Sequence, residues 1–246
     1  MTAFVPDWIL LAQVSAIVLL AGFVQGLAGF GSGLIAVPLL ITVLGLATAV
    51  PVFALAMIAI TAVNLHDLRA HIDWRPVIPM IGGYVLGTPL GIWFLLDAPV
   101  NALMGVLGGL LIGYALWSLR GGGSPRWMRE WPVALGAASG AMGAAFSANG
   151  PPVIVHVMAQ DWHQHRRKAV LALFFGISTV ITSLSHAVAG LVTTAVVFWV
   201  VVATPALLLG TFLGIRVYRR FSDHDYRRMA YGLILMIGLG LLVRTL

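Results

Sequence analysis

Two short stretches of this chain concentrate residues that can offer bare backbone to a ligand. Gly26-Leu-Ala-Gly-Phe-Gly-Ser-Gly33 and Ser147-Ala-Asn-Gly-Pro-Pro152 are both rich in helix breakers and both embedded in apolar sequence. Glycine and proline interrupt helices, so each place is expected to be unwound or sharply turned. The arms that follow, from Leu34 and from Val153, would then point helix N-termini at the breaks. Unpaired N–H groups and the positive end of the helix dipole favour an anion there, and glycine lets the backbone approach it closely. The residues this assigns to an anion are Gly29, Gly31, Ser32 and Gly33 at the first tip and Ser147, Asn149 and Gly150 at the second. Gln25, four residues before Gly29, lines the approach. His156 lies in the short apolar arm Val153-Ile-Val-His-Val-Met158. It reads as a ligand, as a proton carrier titrating near neutrality, or as a neutral ring bonded to a nearby carbonyl. The competing account of the glycines and polar groups is close helix packing with end-capping.

The rest of the titratable inventory narrows the chemistry. All eight carboxylates (Asp7, Asp67, Asp73, Asp97, Glu130, Asp161, Asp223 and Asp225) fall in loops or at the ends of apolar runs. A cation or metal site inside a membrane would usually want one of them centrally, so no metal or other cofactor is expected. No Lys or Arg is central either, which leaves backbone amides and neutral polar groups to hold an anion. The chain has no cysteine, which excludes disulfides and thiolate chemistry. The glycines at 29, 31 and 33 lack the strand context, the Lys-Ser/Thr and the partner acid of a nucleotide loop. Ser32 and Ser147 have no evident base with an orienting group, and a Ser147–His156 dyad alone is thin support for an intramembrane hydrolase. No enzymatic activity is expected.

The elements that must carry these residues are membrane helices. Hydrophobic residues make up 60% of the chain and charged ones 9%, against about 25% charged in soluble domains. Apolar runs follow one another at roughly 8–28, 33–46, 47–65, 76–96, 100–119, 131–146, 151–160, 169–189, 194–216 and 228–245. Most match the ~20 residues a helix needs to cross a bilayer. The runs 33–46 and 151–160 are too short to span. No stretch reads as a soluble domain, and the first run lacks the basic flank and cleavage site of a removable signal peptide. A sequence pI near 10.5 could suggest nucleic acid. The basic residues instead sit in short tracts between apolar runs, as cytoplasmic loops do, so no nucleic-acid partner is expected. Trp8, Trp74, Trp131 and Trp162 stand near run ends and read as interfacial anchors, and His66 and His186 read as interfacial too.

The chain also repeats itself. Leu86-Gly-Thr-Pro-Leu-Gly-Ile92 returns as Leu209-Gly-Thr-Phe-Leu-Gly-Ile215, Gly26-Leu-Ala-Gly29 answers Gly140-Ala-Met-Gly143, and His66 answers His186. Three matches in collinear order imply a duplication, with halves at 1–122 and 123–246. Charge gives their relative orientation. The turn at 45–49 has no basic residue and its counterpart has Arg166, Arg167 and Lys168; Arg69 and Arg75 face an uncharged counterpart at 187–194. The loop at 97–100 has none, against Arg219, Arg220, Arg227 and Arg228. Each loop and its mate therefore face opposite sides. The expected fold is an all-α integral membrane protein of two inverted repeats. Each repeat has a broken, re-entrant helical hairpin plus three full transmembrane helices, eight to ten hydrophobic segments in all. The N-terminus falls outside and loops 66–75, 120–130, 161–168 and 217–228 fall in the cytoplasm; of the Lys and Arg residues only Arg244 lies outside. The two broken elements, entering from opposite sides, should meet at the midplane.

With these residues in place, the chain resembles the sulfite exporter TauE/SafE family, also called toluene sulfonate uptake permeases. The resemblance is carried by Gly22-Phe-Val-Gln-Gly-Leu-Ala-Gly-Phe-Gly-Ser-Gly-Leu-Ile-Ala-Val-Pro38 and by Gly140-Ala-Met-Gly143 with Asn149-Gly-Pro-Pro-Val-Ile-Val155. His71-Ile-Asp-Trp-Arg75 with Leu86-Gly-Thr-Pro-Leu-Gly91 adds to it. It departs from the family's pattern where Ala144–Asn149 replaces a tighter glycine cluster and where His156 stands opposite Pro38. The resemblance implies a transporter of sulfite, sulfonates or related anions in a bacterial inner membrane, with the lipid bilayer and a small anionic substrate as partners. An anion channel on the same scaffold and an intramembrane enzyme are the alternatives. Proton or ion coupling, direction and homo-oligomer formation stay open.

Overall fold

The computed structural model describes residues 7–28, 31–68, 73–97, 129–147, 149–160, 162 and 164–218, with isolated positions between 105 and 120 and between 232 and 239. The expected spans at 100–119 and 228–245, the basic loop at 217–228 and Gly29 lie essentially outside this set. Every described element is helical. We number them α1 (Trp8–Ala28), α2 (Ser32–Leu44), α3 (Leu46–Leu68), α4 (Val77–Asp97), α5 (Pro132–Phe146), α6 (Gly150–Ala159), α7 (Gln164–Val188) and α8 (Thr194–Tyr218). Four are long and apolar enough to cross a bilayer, over Trp8–Leu27, Val77–Asp97, Ala169–Val188 and Thr194–Val217. The helix α3 has the length as well, its apolar part being Leu46–Ala62.

Both expected interruptions are present and are short. The first separates Ala28 from Ser32 and the second separates Phe146 from Gly150. Thirteen residues in α2, fifteen in α5 and ten in α6 give lengths of roughly 15–22 Å, well short of a ~30 Å hydrocarbon layer. Glycine is required at the first break, because Gly31 caps α2 with φ +90°, a conformation that costs an L-residue about 1–2 kcal/mol. At the second break a serine takes that role. Ser147 has φ 51°, the sole positive φ among the described non-glycine residues. Pro151 and Pro152 lie in the first turn of α6, where a missing N–H leaves no intrahelical bond unmade.

The repeated sequence motif is a packing device. Along α4, a Cβ on Gly83, Gly87 or Gly91 would collide with the carbonyl of Val133, Ala137 or Ala141 on α5. In return Gly136 and Gly140 sit against the carbonyls of Met80 and Tyr84. The same arrangement joins α1 to α8, with Gly22 and Gly26 against Leu207 and Thr211, and Gly210 and Gly214 against Leu19 and Phe23. Small residues every fourth position let membrane helices approach to backbone contact, which gives dispersion and weak polar contacts where no hydrophobic drive exists. Rising numbers meet rising numbers in both seams, so α4 runs parallel to α5 and α1 parallel to α8.

Two polar contacts set the remaining directions. Asp73, just before α4, pairs with Arg166 at the start of α7 at 2.8 Å, while Tyr84 farther along α4 hydrogen-bonds Thr182 farther along α7. Hence α4 and α7 are also parallel, and a short turn carries α7 back into α8. Gln160 donates to the carbonyl of Arg129 at 3.2 Å. Together with the Asp73–Arg166 pair, this places the segments near 73–75, 129–131 and 160–166 at one end of the bundle. Trp8, Trp74 and Trp131 are exposed there or at the opposite end, as membrane-interface anchors would be, and Arg166 lies 4.8 Å above the ring of Trp162. His186 departs from expectation. It is fully buried rather than interfacial, because the last turn of α5 stops short and presents the Ala144 carbonyl to its Nε2 at 2.9 Å.

The glycine seam predicts a graded stability series. Gly87→Val should lower the thermal stability of the detergent-purified protein by the equivalent of about 1–3 kcal/mol or prevent its recovery. Gly82→Ala, on the same helix but with nothing within 4 Å of a new Cβ, should leave it unchanged. Equal effects of the two on melting temperature would remove the seam's importance.

Candidate functional site

The two breaks touch. A Cβ on Gly33, in the first turn of α2, would collide with the carbonyl oxygen of Ser147 and lie 3.2 Å from Cε1 of Phe53. The Ser147 hydroxyl in turn donates to the carbonyl of Val50 on α3 at 3.1 Å, and its N–H to that of Gly143 at 2.8 Å. One tip is thus locked to the other and to the helix that follows the first.

Beside this contact lies a cavity of about 30 Å³, walled by Ala54 and Met57 of α3, Gly143 of α5, Ser147 and Asn149 of the second break, and Thr179 and Thr182 of α7. That is the volume of one or two ordered waters. The wall carries hydroxyls, an amide and a thioether and, among the described residues, no titratable side chain. Asn149 is held firmly. Its carbonyl accepts from the Ser139 hydroxyl, and its Nδ2 donates to Ser178 Oγ at 2.6 Å, which itself donates to the Phe175 carbonyl. Thr182 shares a hydrogen with Tyr84, whereas the Thr179 hydroxyl makes no hydrogen bond among the described residues. Polar groups fixed by neighbours in this way present a preorganised wall to a ligand.

The sequence-derived residues divide into three groups. Ser147 and Asn149 line the cavity. Gln25, Ser32, Gly31 and Gly33 form the first tip beside it, but Gln25 serves that tip rather than an open approach. Its Oε1 accepts from Ser32 Oγ at 2.8 Å and from Ser32 N–H at 3.4 Å, so the side chain already occupies the position an anion would take on α2. Ser32 reaches the cavity wall indirectly, its hydroxyl 3.5 Å from Met57 Sδ. His156 is buried on α6, with Nε2 3.4 Å from Gln160 Nε2. It lies two turns from the cavity, toward the end of the bundle that holds Gln160 and Arg129.

Two refinements concern the backbone donors. The prolines at 151 and 152 leave α6 only the N–H groups of Gly150 and Val153 in its first turn, fewer donors than a helix N-terminus normally offers. Gly150 itself is not backed by backbone, since a Cβ there would meet only the side-chain atoms Ile154 Cδ1 at 3.2 Å and Phe175 Cζ at 3.9 Å. The hydroxyls of Thr179 and Thr182 are therefore as prominent as backbone in the wall, although neither lies near a glycine break in the sequence. The available signal was a polar stripe on α7: Ser178, Thr179, Thr182, Ser183 and His186 fall on one helical face of an otherwise apolar span.

Comparison with known proteins agrees with this membrane architecture. A family model described as sulfite exporter TauE/SafE matches residues 14–241. The chain is 28% identical, over 236 residues, to a protein of Cupriavidus necator named probable sulfite/organosulfonate exporter TauE, covering 90% of this chain and 89% of the relative. No solved structure matches it.

The tip contact predicts an order of sensitivity. Gly33→Ala should abolish flux or block folding, because the carbonyl it meets is backbone and cannot swing aside. Gly31→Ala should act through φ strain of about 1–2 kcal/mol, and Gly150→Ala should be the mildest. Flux per folded molecule in proteoliposomes checks the order, and a Gly150→Ala defect larger than that of Gly33→Ala would refute it.

Proposed function

Because this chain belongs to the sulfite exporter TauE/SafE family, we infer that it is a secondary carrier of a small sulfur-containing anion, of the sulfite or organosulfonate class, across the bacterial inner membrane. The anion binds in the cavity where the two breaks meet. The observation that carries this reading is that cavity: hydroxyl and amide groups from α7 and the second break converge on it, at the depth where both α2 and α6 begin. Neutral hydroxyl and amide donors, with the remaining N–H groups at the start of α6, suit a monovalent or weakly divalent oxyanion. The name of the Cupriavidus necator relative supports the substrate class.

Two inverted repeats, 1–122 and 123–246, supply the mechanism. The support is directional: α1 is parallel to α8 and α4 to α5, while α4 is parallel to α7, which turns back into α8. Under exchange of the halves, the α1–α8 seam becomes the α5–α4 seam with every helix reversed. Carriers built this way rock one half against the other around a fixed midplane site. The direct Gly33–Ser147 contact then reads as a closed state of that motion. The basic end of the bundle, with Arg75, Arg129 and Arg166, faces the cytoplasm by the positive-inside rule.

The transport reading is tested by flux in proteoliposomes with sulfite, sulfate, thiosulfate, taurine and aryl sulfonates. Saturable uptake with counterflow for one sulfur anion is expected; flux that rises linearly without counterflow would favour a channel. Thr179→Val and Asn149→Ala, each removing about one charge-assisted hydrogen bond, should weaken apparent affinity roughly ten-fold while the protein still inserts.

Topology is tested by single cysteines in this cysteine-free chain. Residues at Ala98 and Gly190 should label from outside and one at Ser124 from the cytoplasm. Labelling of Ala98 and Gly190 from opposite sides would end the inverted-repeat account.

A further inference from the structure

His186 is a titratable side chain that the anion site as described leaves unused. It is fully buried. Its Nε2 lies 2.9 Å from the Ala144 carbonyl; a carbonyl only accepts, so Nε2 carries a hydrogen and, in the neutral ring, Nδ1 is the lone-pair nitrogen. That Nδ1 is buried without a hydrogen-bond partner, as is the hydroxyl of Ser183 one turn earlier on α7. Buried polar atoms are nearly always satisfied, and two orphans one turn apart call for a ligand. Both sit immediately behind the cavity. Thr182, four residues before His186, and Gly143, next to Ala144, belong to its wall.

We propose that His186 is the proton-binding group of this carrier, taking a proton on Nδ1 when the neighbouring cavity holds its anion and releasing it when the anion leaves. The inference rests on the anion-carrying reading above and deepens it. One proton is taken from water on one side and held as N–H on Nδ1, while Nε2 keeps its hydrogen on the Ala144 carbonyl. One positive charge thus stands beside one negative charge, and both depart on the other side. In a low-dielectric span an isolated imidazolium is costly and a paired one is tolerated. Linkage is reciprocal, so proton and anion each tighten the other.

No other titratable group on the described elements packed against α7 competes for this role. From α4 it is faced by Tyr84, through Thr182, and Asp97 stands at the far end of that helix. Helix α5 carries none. On α6, His156 lies toward Gln160, away from the Asn149–Ser178 contact that marks the cavity. Helix α3 bears His66 and Asp67 only beyond Leu65, which meets Gly176, ten residues along α7 from His186. The other titratable residues of α7, His165, Arg166, Arg167 and Lys168, stand at its opposite end.

The test uses the full chain in detergent and methanesulfonate, whose charge does not change between about pH 5.5 and about pH 8, the window in which histidine titrates. Affinity is read by thermal-shift titration. Wild type should bind roughly ten-fold tighter at the lower pH, a typical size for two-site coupling. His186→Gln, whose amide can keep the bond to Ala144 but takes no proton, should bind at the weaker affinity at both pH values. A wild-type affinity unchanged by pH overturns the proposal and leaves the anion site standing. Absence of binding at either pH, by methanesulfonate and by every anion of the flux panel, overturns both. If His186→Gln cannot be recovered folded, His156→Gln and Tyr84→Phe decide: pH dependence retained in both supports His186, and its loss in either assigns the proton elsewhere.

Discussion

An interrupted helix in a hydrocarbon layer exposes backbone N–H and C=O groups that no water can satisfy, each costing several kcal/mol if left alone. This chain contains two such interruptions, and much of the structure reads as their resolution. Proline removes two donors from the start of α6, Gln25 caps the start of α2, and Ser147 donates its hydroxyl to Val50. His186 takes the Ala144 carbonyl left over by the end of α5. Gly33 then presses against the Ser147 carbonyl, closing one break with the other. Irregular backbone at this depth persists because it is enclosed by protein.

The two breaks are not equivalent. The first is satisfied from within, by a side chain of the helix that precedes it, and Gly31 provides its turn at little strain. The second holds a serine in a left-handed conformation, a cost of about 1–3 kcal/mol that surrounding contacts must offset. Its polar groups face the cavity while those of the first face Gln25. Strain and cavity-facing polar groups therefore coincide at the second break, and the two breaks differ in chemistry as well as in position.

Much of this was legible before any coordinates. Glycine and proline placed both breaks within a few residues, and the two matched Leu-Gly-Thr-x-Leu-Gly-Ile segments, both of which turn out to lie in helix–helix seams, stand out in the sequence. What that motif does was hidden, because a small-residue ridge gains meaning only from the carbonyls of a partner helix far away in the chain. The weak donor capacity of α6 is legible in Pro151 and Pro152, because a proline in the first turn has no N–H to offer. His186 was misplaced for a different reason. It stands at the end of its apolar run, where interfacial residues belong, and only the early stop of α5 turns that position inward. Thr179 and Thr182 were lost among the many hydroxyls that long apolar helices carry on their own carbonyls.

The glycine seams have a bearing on how the chain is made. The ridge on α1 is closed by α8, whose Gly210 and Gly214 arrive roughly 190 residues later, about ten to forty seconds at ordinary synthesis rates. During that interval α1 sits in the bilayer with a backbone-deep furrow open to lipid. The α4–α5 seam, by contrast, closes after some fifty residues. Assembly is therefore expected to close the α4–α5 seam early and the α1–α8 seam late.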